Sequence, residues 1–180
     1  MLKRYRWWLL GLGVIIILIG GGLWVGHLHS GDAQTRTVTA KPTAKTQPLP
    51  KLTKQNLKHH PKLKYACIIY YAVKHLKIQR WQEVSDFERG WQVEIYPNHG
   101  NPKYLVWPDK NIKTDAKQLQ PNWFTIDSAG NVTYDSFGVH TFTKDQTATV
   151  STTKIINQLR TDHATKRVYA MLDNLVILKH

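Results

Sequence analysis

From Trp7 to Gly26 the chain runs twenty residues, WWLLGLGVIIILIGGGLWVG, without a charged side chain. At about 1.5 Å per residue this makes about 30 Å of helix, the thickness of bilayer hydrocarbon, so the pattern predicts a transmembrane helix over residues 7–26. Trp7, Trp8 and Trp24 stand where interfacial aromatics belong, and Lys3, Arg4 and Arg6 place the N-terminus in the cytoplasm by the positive-inside bias. The apolar run is long for a cleaved signal peptide, and residues 27–33 offer no clear small-x-small site. No cysteine follows closely enough to take a lipid. A retained signal anchor is the expectation.

Beyond the anchor the period disappears. Residues 27–57 are rich in Thr, Lys, Gln, Ala and Pro and read as a solvated, extended stalk. From residue 58 a domain is expected. Pro61 suits a first helical turn, and Leu63, Ala66, Cys67, Ile69, Tyr70, Val73 and Leu76 recur at three- and four-residue spacing. Trp81, Val84 and Phe87 suggest another turn of helix ending at Gly90. The period then drops to two at Trp91, Val93 and Ile95, which signals a strand. Further strands are predicted at residues 104–107, 123–126 and 132–137, the last continuing over Val139–Phe142. The turn Asp127-Ser-Ala-Gly-Asn131 makes the last two a hairpin. Ser151 looks like the N-cap of a helix over residues 152–159, and Ala164, Val168, Met171, Leu172, Leu175 and Val176 predict a final amphipathic helix. The fold class is α+β: a small antiparallel sheet flanked by an N-terminal helix and C-terminal helices, preceded by one transmembrane helix.

Composition sharpens this plan. Excluding anchor and stalk, roughly 120 of the 180 residues remain, enough for one hydrophobic core and not two. The formal charge of +13 would suggest nucleic acid if it were spread over the domain. It is not. Eight cations fall in residues 31–64 against the single acid Asp32, whereas from Tyr65 onward 14 Lys and Arg face 11 Asp and Glu. No nucleic-acid partner is expected. The basic flank suits either simple solubility or attraction to anionic lipid and wall polymers. The single cysteine, Cys67, rules out an intramolecular disulfide and a cysteine-based zinc site, and weakly favours a bacterial envelope.

Candidate chemistry is sparse. Ser151-Thr-Thr-Lys154 has the spacing of a lysine-activated serine, but the companion motifs of such enzymes are missing and a helix cap accounts for the serine. His27-x-His29 and His59-His60 lack the accompanying carboxylates of a metal site, so no metal and no cofactor are expected. Cys67 lies among Ala66, Ile68 and Ile69, surroundings that favour packing over reactivity. The acids Glu83, Asp86, Glu88 and Glu94 could supply a glycosidase-like pair, but read more simply as a solvated surface. No catalytic residue is assigned. Four tryptophans lie beyond the anchor, and two readings stay open for them. Trp81, Trp91, Trp107 and Trp123 are either core residues or, with Tyr96 and Tyr104, a stacking platform for glycan rings or a partner's apolar side chains.

In its Leu52-Thr53-Lys54 opening ahead of a Tyr-containing helix, its Trp- and Tyr-bearing strands and its Thr149-Val150-Ser151 lead into two helices, the chain resembles short, N-terminally anchored surface proteins and related lipoproteins of lactic-acid bacteria. The resemblance covers residues 52–180 and implies a Gram-positive, extracytoplasmic setting without supplying catalytic residues. The expected function is a non-enzymatic envelope domain on a single-pass anchor, with its C-terminal domain extracellular. Its partners would be the lipid bilayer and anionic wall polymers or another envelope protein. The alternative is an envelope hydrolase with an unrecognised site.

Overall fold

The computed structural model describes residues 48–118, 122–137 and 146–180. The expected anchor, most of the stalk and the strand continuation over Val139–Phe142 lie outside the described residues. Among the described residues no helix is long and apolar enough to cross a membrane. Residues 45–180 form one compact unit.

The domain begins earlier than its periodicity indicates. Thr53 caps helix α1 (Lys54–His59), its hydroxyl accepting from the Asn56 N–H at 3.1 Å. Leu52 and Leu57 occupy the positions before the cap and one turn inside it, and both are buried, the arrangement of a hydrophobic staple. With Leu57 its only apolar residue, α1 has no period to read, so a boundary at residue 58 is replaced by one at Leu52. Helix α2 (Pro61–His75) starts on Pro61 as expected, but is buried on more than one side. Tyr65, Ile68, Tyr71 and Ala72 are covered as well as the predicted stripe, because further helices pack around it.

After the short helix α3 (Gln79–Gln82) the chain turns at Gly90, whose φ of +72° suits glycine. Strands β1 (Trp91–Tyr96), β2 (Lys103–Trp107), β3 (Asn122–Ile126), β4 (Asn131–Ser136) and β5 (Ala148–Ser151) pair in sequence, all antiparallel. The β3–β4 turn closes as predicted. Asp127 N–H donates to the Asn131 carbonyl, Gly130 N–H to the Asp127 carbonyl, and Asp127 Oδ1 accepts from Asn131 N–H at 2.7 Å. Ser151 Oγ caps helix α4 (Thr152–Thr161) by accepting from Lys154 N–H at 3.2 Å.

Helix α5 (Thr165–Met171) is shorter than predicted. It ends in a 3-10 turn at Leu172–Asn174, and Leu175–Lys179 form strand β6. Leu175 and Val176 are therefore strand residues. Their spacing from Met171 and Leu172 imitates a helix, but Leu-Val-Ile-Leu is an unbroken apolar run that pairs with β1. That pairing is parallel, so the six-stranded sheet, ordered β5-β4-β3-β2-β1-β6, is mixed and not wholly antiparallel. The α+β plan holds. Because β5 and β6 are opposite edges, the chain between them crosses the sheet's width, and α4 and α5 pack on α2 as it does so. The core lies between these helices and one sheet face, formed by Trp91, Val93, Tyr104, Val106, Phe124 and Tyr134 with their neighbours. Tyr134 OH reaches the Ile68 carbonyl at 3.1 Å. Alternation sends every second residue to the opposite face, away from the α-helices that, among the described residues, build the core around α2.

Candidate functional site on the helix-free sheet face

On that face the strand register places Asp135, Trp123, Leu105, Glu94 and Leu178 in one row across five strands. Gln92 pairs with Trp107 in the next row on one side, and Tyr96 with Lys103 on the other. A surface without helices should be wet, yet Gln92, Glu94, Leu105 and Trp107 are buried. The segment after β2 accounts for this. It folds back so that Lys117 Nζ donates to Glu94 Oε1 at 2.5 Å and to Gln92 Oε1, while its charge lies 5.8 Å from the Trp107 ring centre. Gln92 Nε2 in turn donates to the Lys110 carbonyl at 3.4 Å.

Glu94 is saturated. Its Oε2 accepts from Trp107 Nε1 at 3.2 Å and Tyr96 OH at 3.0 Å, and its Oε1, bonded to Lys117, has His180 Nε2 at 3.8 Å. Burial pushes its acidity toward the neutral form, but the hydrogen bonds from Lys117, Trp107 and Tyr96, with the Lys117 charge, outweigh that and hold the carboxyl below the usual glutamate range. It stays ionised at neutral pH. A carboxylate in this state has no proton to donate and already accepts three hydrogen bonds, so it fixes neighbouring rings instead of acting as acid or base. Burial, helped by Glu94, raises the Tyr96 phenol.

Around the rings that Glu94 fixes the face becomes half-buried and then exposed. Tyr96 stacks on His180 with centroids 4.3 Å apart and planes 3° from parallel. Half-buried Trp123 carries Lys103 Nζ 3.9 Å above its ring, and Leu178 is 38 % exposed. The face thus has two aromatic stations flanking a polar, charge-balanced centre.

Of the six aromatic residues singled out from the sequence, Tyr96, Trp107 and Trp123 come together here. The other three belong to the core. Trp81 and Trp91 are fully buried, their Nε1 groups bonded to the carbonyls of Asp135 at 3.2 Å and Val84 at 2.7 Å. Tyr104 stacks on Phe124 at 4.8 Å. Parity explains the division: Trp91 and Tyr96 stand five apart in one strand and Tyr104 and Trp107 three apart, so neither pair can share a face. Glu94, read from sequence as ordinary solvated acid, is instead the buried centre. Tyr96, which bonds it, and Gln92, which shares Lys117 with it, stand at the same parity of β1, a signal that could have found both. Nothing local in sequence marked Lys117 or His180.

The remaining candidates resolve simply. Burial pushes the Cys67 thiol up to about 12, which suits packing. His59 bonds Gln55, and among the described residues no group of three or more His, Cys, Asp or Glu is placed to hold a metal; His27 and His29 lie outside them. His75 Nε2 meets Asp162 Oδ2 at 2.6 Å, tying the end of α2 to the end of α4. Comparison with protein-family models, curated proteins and solved structures finds no match.

Proposed function

We propose that this chain is a single-pass envelope protein whose extracellular domain binds a glycan-bearing wall polymer on the helix-free face of its sheet, without chemistry. The twenty-residue uncharged run with its cationic tip supports the anchor and its orientation. The aromatic strands, which resemble those of anchored surface proteins of lactic-acid bacteria, support a Gram-positive wall as the setting. The observation that carries the reading is the pairing of two half-buried ring stations, Trp123 under Lys103 and Tyr96 on His180, around a Glu94 whose charge is already matched. Trp123 and Tyr96 stand two strands and two residues apart, which at ordinary sheet spacings is about 12 Å, room for more than one sugar ring. Hydrolysis would require an acid free to titrate near neutrality, and Glu94 is not one.

The test is retention of the full-length protein, in mild detergent, on purified cell wall. Replacing either Trp123 or Tyr96 by Ala should weaken retention by about tenfold or more, as for a hot-spot aromatic. Unchanged retention by both variants refutes the sheet-face site, and release of soluble wall fragments by the wild-type protein refutes the non-enzymatic reading in favour of a hydrolase.

A further inference from the structure

Helix α1, the first turn of α2, the β3–β4 turn and the start of α4 enclose a cavity of about 340 Å³. Lys54, Lys58 and Lys64 line it together with the hydroxyl-bearing residues Ser128, Ser151 and Thr153. No carboxylate lines it. Among the described residues, none of the three lysines takes part in an ion pair.

These lysines belong to the basic stretch between residues 31 and 64, where sequence shows one acid against eight cations. Five of the eight lie among the described residues, Lys51 to Lys64, and folding places three of these around one cavity. Lys54 and Lys58 are four apart on α1, a like-charge spacing that disfavours a six-residue helix, and the first turn of α1 holds no acid to offset it. Lys64 is drawn inward far enough for burial to lower its proton affinity. Three lysines without an acidic partner among the described residues, beside hydroxyl groups, complement the charge of a phosphate group and can donate to its oxygens.

We propose that this cavity binds a phosphate group, presented either by a soluble phosphodiester polymer or by a lipid head group. The site is separate from the sheet face and stands or falls independently of it. The probes are inorganic phosphate and a glycerol-phosphate oligomer, added to the full-length protein in nanodiscs of zwitterionic lipid and followed by the amide resonances of Gly130 and Thr153. A variant with Lys58→Gln and Lys64→Met should weaken binding by about tenfold or more, since two contact charges are lost. One with Lys113→Gln and Lys166→Gln, equal in charge change but at exposed positions outside the cavity lining, should shift it by less than about twofold, as screened surface charges do. If Lys64→Met disturbs folding, Lys58→Glu at its exposed position must produce the same loss. Equal weakening by the pocket pair and the control pair overturns the proposal, as does the absence of any phosphate-dependent shift at Gly130 and Thr153. In nanodiscs containing phosphatidylglycerol, shifts present before any addition assign the phosphate to lipid. Shifts that appear only with the oligomer assign it to polymer.

Discussion

Replacing Lys117 by Met isolates the interaction on which the helix-free face depends. Glu94 and Lys117 side chains are only 5 % and 12 % exposed, so the substitution leaves a carboxylate out of water with Trp107 and Tyr96 as donors, no ammonium in contact, and the His180 ring 3.8 Å away. Breaking such a pair costs about 3–5 kcal/mol when the orphaned charge stays charged. Glu94 has a second exit, protonation. From an ordinary value near 4.5 this costs about 3.5 kcal/mol at pH 7, at about 1.36 kcal/mol per pH unit, and it caps the loss. We therefore expect Lys117→Met to lower unfolding free energy by about 3 kcal/mol at pH 7 but only about 1 kcal/mol at pH 4.5, where protonating the orphan is nearly free. The wild-type pair persists at pH 4.5. Its folded carboxyl titrates below the unfolded one, so its stabilisation is present above the unfolded value and is lost only as pH falls through the folded value. Glu94→Gln should be milder, about 1–1.5 kcal/mol, because Lys117 sits on a loop and can turn its ammonium to water. The double variant should cost less than Lys117→Met alone. Urea unfolding followed by near-ultraviolet circular dichroism measures all four proteins at both pH values. A Lys117→Met loss that is the same at pH 7 and pH 4.5, or a double variant equal to the sum of the singles, refutes the argument.

Two further outcomes test the core. A Cβ on Gly90 would lie 2.0 Å from the Asn174 carbonyl oxygen, at a φ of +72°, so Gly90→Ala must push the turn before β6 away and should cost about 3 kcal/mol or more, read as a fall in Tm. With its thiol pushed up to about 12 and its side chain buried in α2, Cys67 should resist iodoacetamide at pH 8 in the native protein and react within minutes in urea; native labelling would contradict its placement.

Elements with a local cause were legible in the sequence, and those with a distant cause were not. Pro61 opens a helix, Asp127 and Gly130 close a hairpin, and Ser151 caps α4, because each effect acts within four residues of the side chain that produces it. Strand β6 escaped because its partner β1 lies about eighty residues away in the chain and its residues also satisfy a helical spacing. The site divides in the same way. Aromatic content drew attention to Tyr96, Trp107 and Trp123, and strand parity was enough to separate them from Trp91 and Tyr104. That Glu94 is covered depends on Lys117, twenty-three residues on, folding back over the sheet, and no period in the sequence encodes such a return.

The chemistry of that return bears on function. An apolar loop could cover Leu105 and Trp107 just as well, and replacing a buried ion pair by packed hydrophobic residues is often neutral or stabilising. Stability alone therefore gives no reason for Gln92, Glu94 and Lys117 at the centre of the face. What the polar latch does is set orientation: Glu94 Oε2 bonds both the Trp107 indole and the Tyr96 phenol, and Tyr96 in turn carries the His180 ring. Apolar packing would hold these rings by shape only, leaving their polar edges without partners and free to rotate. Bonded to one charge that cannot move, they are oriented before any ligand arrives, which reduces the ordering a ligand must impose on the surface. If the proposed wall binding uses these rings, the latch and the ring stations act together, and losing Lys117 should weaken wall retention although its own side chain is largely buried.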